Sequence, residues 1–183
     1  MEIVKGSIDG LLLIKMNKKQ DDRGFFARNF CADLIEQAGG NPRISQANLS
    51  FNETKGTLRG FHYQINGHEE TKTLTVLRGS LHLKVVDLRK ESKTYLTYES
   101  FNLTELDSII QIPKGCAPGF QTLLDGVLAL YYMSDPYSSD NEYGIRFNDP
   151  FFKFNWPLEV TNISKRDLDF KNFDPIKFEG LKS

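Results

Sequence analysis

Proton chemistry near neutral pH falls first to histidine, whose ordinary pKa is about 6.5, and the chain has three: His62, His68 and His82. His68 lies in Asn66-Gly67-His68-Glu69-Glu70, a polar stretch that reads as a solvated loop. His82 alternates with Leu81 and Leu83, so it faces outward, away from the leucines. His62 stands inside an extended segment, Gly56-Thr57-Leu58-Arg59-Gly60-Phe61-His62-Tyr63-Gln64. A strand histidine is more often structural than functional, but this one has company. Arg59 and His62 would point to opposite faces of an unbroken strand. A bulge at Gly60 would turn both into one pocket.

Metal chemistry finds little support. The chain has no His-x-His pair, no helical His-Glu-x-x-His, and two isolated cysteines, Cys31 and Cys116. It also lacks a phosphate loop, a dinucleotide fingerprint and a nucleophile elbow. What remains is cofactor-free proton transfer by His62, several tyrosines, Lys72 and scattered carboxylates.

The elements that must position these groups are mostly short strands. The 183 residues suit one domain, 1–183, with one core. Period-two patterning and Gly, Pro, Asn and Asp breaks predict strands over 11–14, 45–51, 57–64, 73–77, 80–86, 109–112 and 127–133. Leu81, Leu83 and Val85 should face inward, and His82 and Lys84 outward. The near-continuous apolar run 127–133 reads as a strand buried on both sides. Val127, Ala129, Tyr131 and Met133 share one of its faces, and Tyr132 points elsewhere. A helix is predicted over 30–38, with Phe30, Leu34 and Ala38 on one face and a stop at Gly39-Gly40. The tail beyond Trp156-Pro157 is expected to pack outside as helix or loop. The pattern is that of a β-sandwich or barrel.

Lys+Arg numbers 23 against 24 for Asp+Glu, so there is no basic surplus for nucleic acid or an anionic membrane, though a local basic pocket is allowed. No apolar run approaches the ~18 residues of a membrane span. The N-terminus has no signal-peptide pattern, and the two cysteines suit reduced thiols, so the expected compartment is the cytoplasm.

Several motifs fall in order along the chain: Asp22-Arg23-Gly24-Phe25, Gln46-Ala47-Asn48 with Ser50, the 56–64 segment, Lys72, Val86-Asp87-Leu88-Arg89 with Ser92, Ile112-Pro113-Lys114-Gly115 with Gly119-Phe120, Asn148-Asp149-Pro150 and Trp156-Pro157. In this order they resemble the dTDP-4-dehydrorhamnose 3,5-epimerase family. The resemblance implies an all-β, cupin-type jelly-roll barrel with a few short peripheral helices, a homodimer, and no metal or cofactor. It implies a nucleoside-diphosphate 4-keto-6-deoxy sugar as substrate, with dTDP the expected nucleotide. The reaction removes a proton beside the ketone and returns one to the opposite face.

Residue by residue, the resemblance makes His62 the base and Asp167 the carboxylate that orients it. Lys72 becomes the cation near the keto oxygen and phosphate, and Tyr131 the proton donor on the far face. Arg23 and Arg59 fall at diphosphate positions, and Gln46, Asn48 and Tyr137 near the nucleotide. Read by pattern alone, Asp167 is a solvated turn residue, Lys72 a surface charge and Tyr131 a core tyrosine. The chemistry fits the implied roles. A gap of ~10 pK units between a ketone's α-proton and imidazolium would cost ~14 kcal/mol. A histidine therefore needs a fixed partner for the enolate oxygen.

Two positions depart from the family pattern. Pro118 stands where a His is expected, and Leu83 where Asp is frequent. Losing both together avoids stranding one polar group. The expectation is an epimerase of deoxysugar (O-antigen or cell-surface polysaccharide) biosynthesis that inverts carbon 3, carbon 5 or both, with a pruned polar set that favours one carbon, and carbon 3 over carbon 5. The alternatives are a 3,4-ketoisomerase of the same sugars and a non-catalytic sugar-binding cupin. The last would need no His62–Asp167 contact.

Overall fold

The computed structural model describes residues 1–181. In chain order the strands are β1 (Glu2–Lys5), β2 (Leu12–Lys15), β3 (Lys18–Asp21), β4 (Gly24–Ala27), β5 (Gln46–Asn52), β6 (Thr57–Arg59), β7 (His62–Gln64), β8 (Lys72–Arg78), β9 (Ser80–Asp87), β10 (Tyr98–Thr104), β11 (Ser108–Ile112), β12 (Cys116–Thr122), β13 (Val127–Met133), β14 (Glu142–Gly144) and β15 (Asn162–Ile163). Two short helices, α1 (Ala32–Gln37) and α2 (Lys165–Asp169), lie at the periphery. One sheet runs β1-β2-β11-β8-β13-β5 and the other β10-β9-β12-β6-β15. Pairing in both is antiparallel except for β15 against β6. This is the all-β arrangement that the short-strand pattern predicts, in the jelly-roll form that the resemblance implies.

The barrel core is built from inward faces. Leu81, Leu83 and Val85 of β9 meet Leu74 and Val76 of β8 and Val127 and Ala129 of β13, all at 0% exposure. The alternation read over 80–86 is therefore correct for its inward face. Its outward face is not open to water: Lys84 is only 4% exposed. Trp156 and Tyr98 cover it, with the ammonium 5.5 Å and 5.1 Å from their ring centroids. His82 shares that face, half-buried against Trp156, with Nδ1 2.7 Å from Asn102 Oδ1.

Other elements differ in detail from the sequence reading. The stretch 57–64 is two strands, β6 and β7, that part at Gly60. Gly60 has φ +111°, and a Cβ there would lie 2.5 Å from Gly119 Cα, so neither a regular strand nor a side chain fits. The outer face of β13 is partly exposed at Leu128 and Leu130, so this strand is not buried on both sides. In α1 the buried residue is Ile35, packed on Leu12, Ile14 and Ile109, with Phe30 and Ala38 flanking it. The tail forms more than an outer cover. Phe152, Phe154, Trp156, Phe173 and Phe178 build a second apolar cluster on Phe61 and Tyr63. β15 pairs in parallel with β6, and α2 follows it beside the break at Gly60. The Val86-Asp87-Leu88-Arg89 motif with Ser92 is structural: fully buried Asp87 accepts from Arg89, Ser92 and Thr94 and closes the loop after β9.

Candidate active site

The break at Gly60 places Arg59 and His62 in the lining of one cavity of about 330 Å³, as the bulge argument expects. The sheet containing β8 and β13 supplies Lys72 and Tyr131 to the same lining, and β5 supplies Asn48. Tyr137 lines the mouth.

His62 and Asp167 meet directly, with Nε2 2.8 Å from Asp167 Oδ1. Asp167 is not a solvated turn residue: it is 2% exposed. Ser164 caps α2 by accepting the Asp167 N–H at 3.1 Å, and this turn aims the carboxylate inward. The Gly60 N–H donates to Asp167 Oδ2 at 3.1 Å, so the chain break also fixes the carboxylate. Burial alone would raise the Asp167 carboxyl. The hydrogen bond and charge of His62, with Gly60 and Ser164, outweigh it and hold the group below its ordinary range. A carboxylate is thus present to accept the Nε2 proton, which leaves Nδ1 as the basic nitrogen of neutral His62. Glu142 Oε1 lies 3.7 Å from Nδ1, and Arg166, paired with Glu142, rests 3.2 Å from Nε2.

Lys72 is buried at 9% exposure and is no surface charge. Its ammonium donates to the His62 carbonyl at 2.9 Å and pairs with Glu70 at 3.0 Å. Tyr131 shares its face of β13 with Val127 and Ala129, as read, while Tyr132 turns to Asn29 and Phe30. Burial pushes the Tyr131 hydroxyl well above the ordinary tyrosine range, against a smaller opposing pull from Arg59. It therefore remains a proton donor at neutral pH.

The nucleotide candidates divide. Arg59 Nε donates to Asn52 at 2.7 Å and faces the cavity. Tyr137 donates to Glu142 at 2.6 Å. Gln46 lies outside the lining and accepts the Tyr137 N–H at 3.1 Å, so it supports the mouth rather than forming it. Arg23 is also outside: it sits on the β3–β4 turn, its side chain 89% exposed and paired with Asp21 at 2.6 Å. That hairpin pairs only with itself in the sheet order, which carries Arg23 away from the cavity of its own chain.

Glu70, Glu142 and Arg166 were missed in the sequence. Arg166 adjoins Asp167, and Ser164-Lys165-Arg166-Asp167 has the spacing of a helix cap, a signal that could have placed both. Leu83, Pro118 and Phe120 form an apolar part of the wall. Among the described residues, no cluster of three or more His, Cys, Asp or Glu is arranged to hold a metal.

The family model described as dTDP-4-dehydrorhamnose 3,5-epimerase matches residues 5–174. The chain is 33% identical over 172 residues to the dTDP-4-dehydrorhamnose 3,5-epimerase of Methanothermobacter thermautotrophicus, covering 92% of each chain. It is 32% identical over 164 residues to the dTDP-4-dehydrorhamnose 3-epimerase of Streptomyces niveus, covering 88% of this chain and 79% of that one. Among solved structures, the dTDP-6-deoxy-D-glucose-3,5-epimerase of Legionella pneumophila, in complex with dTDP-4-keto-L-rhamnose, superposes with a TM-score of 0.91 at 32% identity, covering 100% of this chain and 98% of that one.

Proposed function

Because the chain belongs to the dTDP-4-dehydrorhamnose 3,5-epimerase family and is an isomerase of the epimerase class, we propose that it acts on a nucleoside-diphosphate 4-keto-6-deoxyhexose, with dTDP as the nucleotide, and inverts carbon 3 alone. The observation that carries the catalytic part is the 2.8 Å His62–Asp167 contact on the wall of the cavity that Tyr131 and Lys72 also line. A sugar-binding module has no use for such a pair.

In this reading His62 takes the proton from the carbon beside the ketone. Asp167 stabilises the imidazolium that forms. Lys72 donates to the oxygen as it becomes an enolate, where a preorganised donor contributes about 3–4 kcal/mol. Tyr131 returns a proton to the opposite face, with the Arg59 charge easing its transient anion. Solvent then restores both groups.

The preference for one carbon rests on Leu83 and Pro118, which leave an apolar wall where the family pattern has polar groups. The relatives include both a 3,5-epimerase and a 3-epimerase. The test is incubation with dTDP-4-keto-6-deoxyglucose in heavy water, with deuterium located by NMR. Label at carbon 3 alone is expected. Label at carbons 3 and 5 at similar rates would make this a double epimerase. The paired substitution Leu83→Asp with Pro118→His should raise exchange at the second carbon about tenfold or more, a change of ~1.4 kcal/mol in barrier. An unchanged pattern would remove these two residues as the cause.

We read the assembly as a homodimer formed along β5. That strand pairs with β13 on one side only, and it exposes Leu49 at 66% and Phe51 at 50%. The β3–β4 hairpin exposes Phe25 at 46% and Phe26 at 71%. Laid along β5 of a second copy, the hairpin would bring Arg23 to the edge that holds Asn48, which would make it a diphosphate ligand across the interface. Sedimentation should give a dimer that Phe26→Glu with Leu49→Glu shifts to monomer. A wild-type monomer would end this reading. The two free thiols, Cys31 and Cys116, agree with a cytoplasmic location.

A further inference from the structure

We propose that Glu70 is a positioning residue that makes Lys72 a directed hydrogen-bond donor to the sugar's keto oxygen and withdraws it from the diphosphate. The proposal rests on the epimerase reading above and specifies what Lys72 does in it.

A lysine side chain is long, flexible and equipped with three equivalent donors. Near a substrate that carries both a diphosphate and a ketone, a free ammonium would be drawn to the greater charge. Here it is held. One N–H donates to the His62 carbonyl at 2.9 Å, and a second faces Glu70 Oε1 at 3.0 Å. The third is left for the cavity that Lys72 lines. The first anchor is the carbonyl of the base itself, and the second is tied to Gln64 on the same strand, so the free donor is fixed relative to His62.

Glu70 is held in turn. It is 6% exposed, and its Oε2 accepts from Gln64 Nε2 at 2.9 Å. Gln64 also donates to the His68 carbonyl at 3.1 Å and accepts the Ser138 N–H at 2.6 Å. Every polar atom of the Gln64 amide is therefore engaged, and the carboxylate has a fixed seat. Breaking a buried pair on one side leaves an uncompensated charge, so the arrangement resists rearrangement when substrate enters. The pair has no net charge. Lys72 thus presents a local donor rather than a free cation, and diphosphate attraction within this chain falls to Arg59, which lines the same cavity and bonds only the uncharged Asn52 amide.

The test compares Glu70→Ala, Glu70→Gln and Lys72→Met in the full chain, using dTDP-4-keto-6-deoxyglucose and steady-state epimerisation with a thermal melt on each. A donor misplaced by about 1 Å can cost about 10²-fold. Glu70→Ala should therefore lower kcat about 10²-fold with KM within about twofold. Glu70→Gln keeps an acceptor for Lys72 and should recover to within about tenfold of the parent. A purely structural role would lower the melting temperature of Glu70→Ala and leave the folded enzyme's kcat unchanged, which overturns the proposal. A raised KM at constant kcat would also overturn it by assigning Lys72 to the diphosphate. If Glu70→Ala does not fold, Glu70→Asp, whose shorter carboxylate draws the ammonium out of place, is read by the same split between kcat and KM. Loss of turnover in Lys72→Met alongside an unaffected Glu70→Ala would sink this inference and spare the epimerase reading. Full turnover in Lys72→Met would sink the role of Lys72 itself.

Discussion

Replacing His62 by alanine should abolish deuterium entry at every carbon beside the ketone and lower epimerisation by about 10³–10⁴-fold, the upper part of the range for a positioned general base. The expectation comes from geometry. His62 presents an imidazole whose Nε2 is claimed by Asp167 at 2.8 Å, so the other nitrogen is the acceptor. The remaining titratable groups of the wall do not replace it. Tyr131 is held protonated by burial, Lys72 and Glu70 engage each other, Glu142 is paired with Arg166, and Asp167 lies behind His62 at 2% exposure. The substitution also strips Asp167 of its imidazole partner and leaves it the Gly60 N–H and the more distant Arg166 guanidinium, 3.8 Å away. A buried acceptor that loses a partner costs about 1–3 kcal/mol, so alanine should melt earlier as well as turn over more slowly. His62→Gln separates the two effects, because its amide nitrogen reaches the place of the imidazole Nε2 and can still donate towards Asp167 but is no base. It should melt close to the parent and be as inactive as alanine. Affinity for dTDP, measured by calorimetry, should stay within about twofold in both. Residual exchange above a tenth of the parent rate would move the base to another residue.

The sequence was most readable where one local rule decides the structure. The period-two run 80–86 gave the inward face of β9, and the same rule separated Tyr131 from Tyr132 on β13. Gly60 between Arg59 and His62 marked the break that brings both to the cavity, because only a residue without a side chain fits against Gly119. The readings that failed depend on chain brought in from far away. Lys84 faces outward from its strand yet is buried, because Trp156 arrives from the tail to cover it. The strand β12 was obscured by Pro118 and Gly119. Proline is tolerated there because β6 pairs only with Phe120 and Gln121, leaving Pro118 without a ladder partner on that side. Asp167 was assigned only through the family resemblance. Its local signal, a Ser164 cap three residues earlier, says that a helix starts but not that its carboxylate is buried under His62. Glu142 and Arg166 meet across 24 residues of chain, and no spacing rule joins them. Arg23 is the converse case. Its motif was legible, but the hairpin that carries it leaves its own cavity.

Changing Tyr131 to phenylalanine should uncouple proton exchange from inversion. Deuterium should still enter the starting sugar at the carbon that His62 deprotonates, while formation of the epimer falls about 10²–10³-fold, as expected for loss of a positioned acid. A base that acts alone can only give a proton back to the face from which it took one. Inversion needs a donor on the other wall, and Tyr131 stands on β13, in the sheet opposite the one that carries β6 and Asp167's neighbour β15. Among the described residues its hydroxyl makes no hydrogen bond, while the rest of its ring packs on the barrel core. Phenylalanine therefore keeps the packing and removes the one group in question, and the melting temperature should hardly move. The pH dependence follows from the same burial. With the hydroxyl pushed above the ordinary tyrosine value of about 10, the donor stays protonated through neutral and mildly alkaline solution. Any fall in epimerisation below about pH 10 must then come from another group. If Tyr131→Phe produced epimer at the parent rate, the donor would be water or a second tyrosine. If exchange and inversion were lost together, Tyr131 would be needed to form the enolate as well as to quench it.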